Sequence, residues 1–347
     1  MILEDFLVEP FLNFSNALSQ GRLPGSVLFA GSQEDGVNLV ACQSAKLYLC
    51  EHPENGNPCC RCKSCTMFEA GSHPDFLGVL SSSKEESDSG LDLQRDPKVL
   101  IDFQKNNISR KSVRIDSMRK LSAWTVESAT VGVKKVAIIF DAHTMPEGAA
   151  NAILKTFEEP PENTLIIMTA RSLESLLPTI LSRAYKIVLH PVSKEQGLKF
   201  INKHIQVDAK RAGIALALAS GKPYGALDLL QSDEDLKIAK MLSTLIKALE
   251  AKNSEEEAID ALLNLEPSIQ ADVLYKLVLE VLKYKAHVNQ DSLPLIKMFN
   301  GESLARLSAD HLFLALDDLR YIKAENPLIP SRTPKALLRS WIKALRQ

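Results

Sequence analysis

Short apolar runs recur through the first half of the chain, and stretches of helical spacing separate them. Ser26–Ala30, Phe76–Leu80, Lys135–Phe140, Leu165–Thr169 and Tyr185–Leu189 are continuous apolar runs with little alternation. Runs of that kind predict strands buried on both faces. Between them, residues 36–50, 115–128 and 147–158 carry helical spacing, the last closed by Pro160-Pro161. Residues 1–20 predict an amphipathic helix ending near Gly21. Strands alternating with helices predict an α/β unit with a parallel sheet covered on both faces, and ligands of such sheets sit at the carboxyl ends of the strands. Residues 81–98 break the pattern with Ser, Asp, Glu and Lys, which predicts a mobile surface insertion.

After about residue 190 the strand pattern stops. Ser193 to Gln196 and Ser254 to Glu257 read as capping boxes. A helix is expected from about Asp208 to Ser220, with Gly221 as its stop, and Thr333-Pro334 reads as an N-cap followed by a first-turn proline. Residues 193–347 are therefore expected to be all α, with a break near 231–240 dividing a small helical unit from a larger one. The last helix carries a stripe of Leu337, Leu338, Trp341, Ile342 and Leu345, a pattern that serves equally as internal core or as an interface.

Composition narrows the class. The chain has 347 residues, 45% hydrophobic and 24% charged, with a net charge of −2. This is ordinary soluble material for two or three domains, and it excludes a generally basic nucleic-acid coat. The acidic N-terminus has no secretory character, and no apolar run reaches the length of a membrane span. A cytoplasmic protein without a membrane partner is expected.

Five of the six cysteines fall between positions 50 and 65, and Cys50, Cys59, Cys62 and Cys65 are spaced C-x8-C-x2-C-x2-C. Three thiolates on a tight turn and a fourth closing the tetrahedron suit a structural Zn²⁺, with no open coordination position for catalysis. A disulfide framework fits poorly with a cytosolic chain, and an iron–sulfur cluster is the other reading of close cysteines. Cys60 is expected to be spare, and Cys42 to pack as a small hydrophobe.

The first strand leads into Gly31-Ser32-Gln33-Glu34-Asp35-Gly36-Val37-Asn38. The glycines keep the spacing of the phosphate-binding loop G-x-x-x-x-G-K-[ST]. Val37 stands in place of the lysine that reaches the β/γ-phosphates, and Asn38 in place of the hydroxyl that ligates Mg²⁺. The frame reads either as a nucleotide loop without its chemistry or as a plain strand–turn–helix connection.

Other segments decide between the two. Lys135 to His143 (KVAIIFDAH), Ala150 to Asn163 (ANAILKTFEEPPEN), Met168 to Arg171 (MTAR) and Leu177 to Arg183 (LPTILSR) follow one another in order. Gly21 to Pro24 (GRLP), the cysteine knuckle and Ala70 to Asp75 (AGSHPD) add to them. In sequence and spacing, these segments closely resemble the AAA+ clamp-loader subunits of bacterial DNA polymerase III over roughly residues 5–235. The resemblance implies an AAA+ RecA-like α/β domain over residues 1–190 with the knuckle inserted at 50–65, a helical lid at 191–235 and an all-α oligomerisation collar at 236–347. The gamma/tau subunits of the family keep an intact phosphate loop, and its delta subunit generally lacks the knuckle. This chain looks like the member that has the architecture and the knuckle but a non-functional ATP site.

Residue by residue, the resemblance places Phe140 and Asp141 where an active site has its Mg²⁺-binding and water-activating acids. Phenylalanine cannot ligate a hard cation. His143 stands where the family often has an acid, Thr169 matches the position that senses the γ-phosphate, and Gly225 replaces a sensor arginine. Loss of lysine, hydroxyl and acid together removes positioning and charge neutralisation, so neither hydrolysis nor productive binding of ATP or Mg²⁺ is expected. The surviving piece is Ser182-Arg183, followed by Ala184 where the family has cysteine. The family's arginine projects into the ATP site of the neighbouring subunit, and Arg183 is expected to act as that trans finger rather than as a surface salt bridge. Arg110, Lys111, Arg114 and Arg119, around a helix that follows primer–template phosphates in the family, read either as DNA contacts or as a solvated basic face. The implied partners are gamma/tau and delta subunits, the sliding clamp and primer–template DNA. The implied role is loading that clamp during DNA replication as a non-catalytic part of a DNA-directed DNA polymerase holoenzyme. Two alternatives stand beside it, a gamma-type ATPase with a degenerate loop and a zinc-knuckle nucleic-acid-binding protein outside any assembly.

Overall fold

The apolar runs form strands in a computed structural model that describes residues 3–83, 86, 90, 92–103, 112–250, 255–265, 267–290, 293–298, 304, 306–323 and 334–346. The chain divides into two units, Met1–Val192 and Ser193–Gln347.

In the first unit the strands are β1 Ser26–Ala30, β2 Phe76–Val79, β3 Leu93–Gln94, β4 Lys135–Ile139, β5 Thr164–Ala170 and β6 Tyr185–Val188. They form one sheet in the order β3-β2-β4-β5-β1-β6. β2, β4, β5, β1 and β6 run parallel, with Phe76 opposite Val136, Ala137 opposite Ile166, Leu28 opposite Met168 and Phe29 opposite Ile187. The helices are α1 Asp5–Ser19, α2 Val37–Leu49, α3 Lys63–Glu69, α4 Pro97–Phe103, α5 Ile115–Val126, α6 Glu147–Glu158 and α7 Pro178–Leu181. Successive strand residues point to opposite faces. Leu28, Ala137, Ile139, Ile166 and Met168 pack with Met118 and Leu121 of α5 and Ala149 and Ile153 of α6. On the other face Phe29 meets Phe14 of α1, ring centroids 6.1 Å apart. Every residue of β1, β2, β4 and β5 is buried, which accounts for their unbroken hydrophobicity.

Lys135 is the charged residue among them. Its ammonium donates to the carbonyls of Trp124 (2.6 Å) and Glu127 (2.9 Å), lying 4.1 Å from the Trp124 ring centroid. It closes the carboxyl end of α5, where orphan carbonyls and the helix dipole favour a cation.

The stretch 81–98, expected to be a mobile surface insertion, holds a short antiparallel edge strand among its described residues, while 84–85, 87–89 and 91 lie outside them. β3 pairs Gln94 with Gly78 and Leu93 with Val79, and α4 starts at Pro97. Two half-buried residues pairing through backbone alone leave no hydrophobic run to read.

The second unit is helical among the described residues. It comprises α8 Lys194–His204, α9 Ala209–Leu218, α10 Pro223–Gln231, α11 Glu234–Glu250, α12 Glu255–Leu263, α13 Pro267–Lys285, α14 Pro294–Met298, α15 Ala309–Lys323 and α16 Pro334–Arg346. The Ser193–Gln196 capping box is formed, with both bonds at 3.2 Å. Ser254, Thr333 and the Leu337 side chain lie outside the described residues. The rest of the stripe on α16 is core. Leu338, Trp341, Ile342 and Leu345 pack with residues of α11, α12 and α15, and the Trp341 indole N–H donates to the Ala315 carbonyl at 3.0 Å. Among the described residues no helix is long and apolar enough to cross a membrane.

Candidate functional site

The strand order reverses at β1, which lies between β5 and β6 although the chain leaves it for β2. Parallel sheets offer a ligand crevice at such a point. The loop after β1, the end of β4 and the end of β5 meet there, bringing Gly31, Gly36, Phe140, Asp141 and Thr169 to one edge.

The loop is folded onto itself. Gly31 donates to the Ala170 carbonyl at 2.9 Å, and a Cβ on Gly31 would lie 3.0 Å from the Cβ of Leu189. Gln33–Asp35 form one 3-10 turn, and Gly36 follows with φ 88°, a left-handed conformation suited to glycine. The Asp35 carboxylate accepts the Ser32 backbone N–H at 3.0 Å and the Ser32 hydroxyl at 2.7 Å. A phosphate loop needs such amides for its anion. Here a carboxylate of the chain takes one of them. Val37 and Asn38 begin α2 and are both buried, 2% and 3% exposed, so neither extends into the crevice.

Phe140, fully buried, offers no oxygen. Asp141 follows at φ 49°, its N–H donating to the Thr169 hydroxyl at 3.2 Å. Asp141 and Thr169 are therefore joined to each other. Burial pushes the Asp141 carboxyl up to about 6, against the pull of the Arg171 guanidinium. The same burial, with Arg171, holds the His143 imidazole below its usual range.

A carboxyl raised in the folded state binds its proton more tightly there than in the unfolded chain. At pH 7 it is ionised in both states, and the fold bears the cost of burying the charge. That cost fades as pH falls through about 6 and is gone below about 4. Asp141→Asn is thus expected to stabilise the chain by about 1–3 kcal/mol at pH 7 and to change little near pH 4. Urea unfolding at the two pH values measures the difference, and a loss of stability at pH 7 would show the carboxylate to be stabilising.

Arg183 lies just beyond α7. One guanidinium nitrogen reaches Glu158 Oε1 at 2.6 Å, and another donates to the Thr179 carbonyl at 2.8 Å and the Ser182 hydroxyl at 3.1 Å. Of the basic cluster, Arg110 and Lys111 lie outside the described residues. Arg114 donates to the Ser82 carbonyl at 3.3 Å, and Arg119 pairs with Asp116 one turn back at 3.1 Å. Both arginines are engaged within the chain.

The four knuckle sulfurs, of Cys50, Cys59, Cys62 and Cys65, lie within 4.8 Å of one another, and none of the six cysteines forms a disulfide. The N–H groups of Cys59, Cys62 and Cys65 point at the sulfurs of Cys50, Cys59 and Cys62, at 3.3, 3.3 and 3.4 Å. Backbone N–H groups, that of Arg61 foremost, bring the Cys59 thiol down to about 6, whereas burial pushes Cys50 and Cys65 up. Four sulfurs within reach of one another, met by backbone N–H groups, form a closed donor set that suits a metal such as zinc. Cys60 stands outside the set with its sulfur 3.1 Å from the buried Lys46 ammonium, which also pairs with Glu69.

The knuckle is fastened to the sheet by the Ser72–Asp75 segment. His73, fully buried, accepts the Asp75 N–H at Nδ1 (3.1 Å), which leaves Nε2–H to donate to the Ser64 hydroxyl (2.8 Å). Ser64 passes its own proton to the Leu49 carbonyl beside Cys50, at 2.8 Å. The Asp75 carboxylate accepts the N–H groups of Thr130 (2.7 Å) and Val131 (2.6 Å), holding the segment before β4.

Sequence reasoning missed Asp35, Glu158, Arg171 and His73 as working parts. A capping pattern, Ser32-x-x-Asp35, was present for the first. Glu158 lies within the Ala150 to Asn163 segment, but its partner is distant in sequence, so the pairing was not legible.

A family model described as "DNA polymerase III, delta subunit" matches residues 9–193. The chain is 29% identical over 189 residues to "DNA polymerase III subunit delta'" of Escherichia coli (strain K12), covering 54% of this chain and 49% of that protein. To the protein of the same name from Yersinia pestis it is 28% identical over 328 residues, 90% of this chain and 85% of that one. Among solved structures it is similar to a DNA polymerase III, gamma subunit-related protein from Thermotoga maritima, at 20% identity and a TM-score of 0.44, covering 97% and 98% of the two chains.

Proposed function

The chain belongs to the delta-prime family of DNA polymerase III clamp-loader subunits, and from that membership we propose that it serves as a member that neither binds nor hydrolyses ATP productively and supplies Arg183 to the ATP site of a neighbouring subunit. Its partners are gamma/tau and delta subunits, the sliding clamp and primer–template DNA, in the cytoplasm. Its task is to help place the clamp on primed DNA during replication.

The observation that carries the reading is the closed phosphate loop. The Asp35 carboxylate takes the Ser32 N–H and hydroxyl, Val37 is buried where a phosphate-binding lysine must extend, and Phe140 stands in place of a Mg²⁺ ligand. A nucleotide phosphate arriving here meets an acidic loop without a lysine to offset it. The knuckle contributes stability only, with Cys50, Cys59, Cys62 and Cys65 holding zinc in a closed sphere. Arg114 and Arg119 lie on or beside the helix proposed to follow DNA phosphates, such contacts placing the subunit without reading sequence. Residues 191–235 are proposed as a lid and 236–347 as the collar that joins subunits.

Nucleotide titration of the isolated chain tests the central claim. No saturable ATP binding is expected up to about 1 mM, a dissociation constant that corresponds to only about 4 kcal/mol. Micromolar binding, with hydrolysis abolished by Asp141→Ala, would instead identify a gamma-type ATPase with an altered loop.

A further inference from the structure

Arg183 is drawn back against its own subunit. Thr179, whose carbonyl it binds, lies four residues earlier on α7, and Ser182 is its immediate neighbour. The third acceptor is Glu158, the last residue of α6, and its carboxylate is the only charged group of the three. An arginine that serves a phosphate in another subunit must point away from these groups.

Glu158 is also oddly placed for a helix. Carboxylates are unfavourable at a helix carboxyl end, where the backbone dipole is already negative. Here Glu158 closes α6 and Glu159 follows it as the cap. The helix dipole does not favour an acid at this point, whereas the guanidinium 2.6 Å away does. Both side chains are partly exposed, 44% for Glu158 and 36% for Arg183, so the pair is weak and can be exchanged for a stronger anion.

We propose that Glu158 is a latch on the finger. It holds Arg183 withdrawn, and the terminal phosphate of a nucleotide in the neighbouring subunit competes with it for the guanidinium. The inference rests on the reading of Arg183 as a trans finger. It adds that the finger has a resting partner within its own chain and that part of the barrier to hydrolysis next door is the separation of this ion pair.

The test uses the loader assembled with gamma/tau and delta subunits, every ATP site silenced except the one that faces this chain, with ATP turnover measured in the absence of DNA. Glu158→Gln and Glu158→Ala are each expected to raise turnover about two- to fivefold, the size of an exposed ion pair. The gain should shrink between about 50 and 300 mM salt, as screening releases the pair in the parent chain. It should vanish when Arg183→Ala is also present. Turnover that is unchanged or lowered in both Glu158 variants overturns the latch, a lowered rate marking Glu158 as an orienting group. If Arg183→Ala by itself leaves turnover untouched, the finger reading fails and the latch with it. If Arg183→Ala depresses turnover and the Glu158 variants do not raise it, the latch alone fails.

Discussion

Arg183→Ala is expected to lower ATP turnover at the site facing this subunit by about 10³-fold or more, the scale of a lost arginine finger. The side chain reacts with nothing. In the proposed role it would place a delocalised positive charge and several N–H donors where negative charge spreads over the transferring phosphoryl group. Lysine does not restore the rate, because a point charge on a flexible stem lacks the planar fork. The measurement is single-turnover hydrolysis in a loader whose other ATP sites are silenced, since competent neighbouring sites would mask the loss. The folded subunit should hardly notice the substitution. Arg183 is partly exposed and gives up one surface ion pair, worth under about 1 kcal/mol. A large fall in rate with an unmoved melting temperature is therefore the expected signature. A rate within a fewfold of the parent would reduce Arg183 to a surface residue.

Cys65→Ser is expected to abolish metal binding at the cysteine cluster and to loosen the first unit. Parent protein is expected to carry about one zinc per chain, and the variant close to none. Structural zinc in small peptides accounts for about 10–16 kcal/mol of apparent folding energy. Here the sheet has its own core, so the expected loss is several kcal/mol rather than complete unfolding. The loss should extend beyond the knuckle. His73, Ser64 and Asp75 tie it to the backbone at Thr130 and Val131, so proteases should cut more readily near residues 127–134 as well as at 50–65. A chelator acting on the parent should reproduce both effects, and acid should promote metal release as protons compete for the sulfurs. Cys60→Ser keeps its metal, because Cys60 faces Lys46 rather than the other four. A Cys65→Ser protein that retains zinc and its melting temperature would remove the site.

The strands were legible because a sheet covered on both faces leaves continuous apolar runs, and β1, β2, β4 and β5 are buried along their whole length. The knuckle was legible because its ligands are close in sequence. β3 was not, since a two-residue edge strand leaves no pattern. The stripe on α16 was ambiguous by nature, as an apolar face reads alike whether it meets its own core or another chain. In the structure Leu338, Trp341, Ile342 and Leu345 meet the core. The absent lysine and hydroxyl of the phosphate loop were plain from Val37 and Asn38. What replaced them was not, because the role of Asp35 depends on a turn that closes only in three dimensions. Glu158 lies furthest from view, its partner being 25 positions along the chain, at Arg183.

The closed loop also bears on history. Restoring lysine at position 37 would put a long cation where Val37 is 2% exposed in the core, while the acidic turn before it stayed shut by Asp35. A hydroxyl at 38 would give a Mg²⁺ ligand with no acid at Phe140 to accompany it. On the proposed reading neither change returns activity without the others, and the lysine costs stability by itself. The site has thus passed a point at which single substitutions lead back. On the proposed function, selection on this chain can refine the arginine it lends but has no stepwise route to a nucleotide of its own.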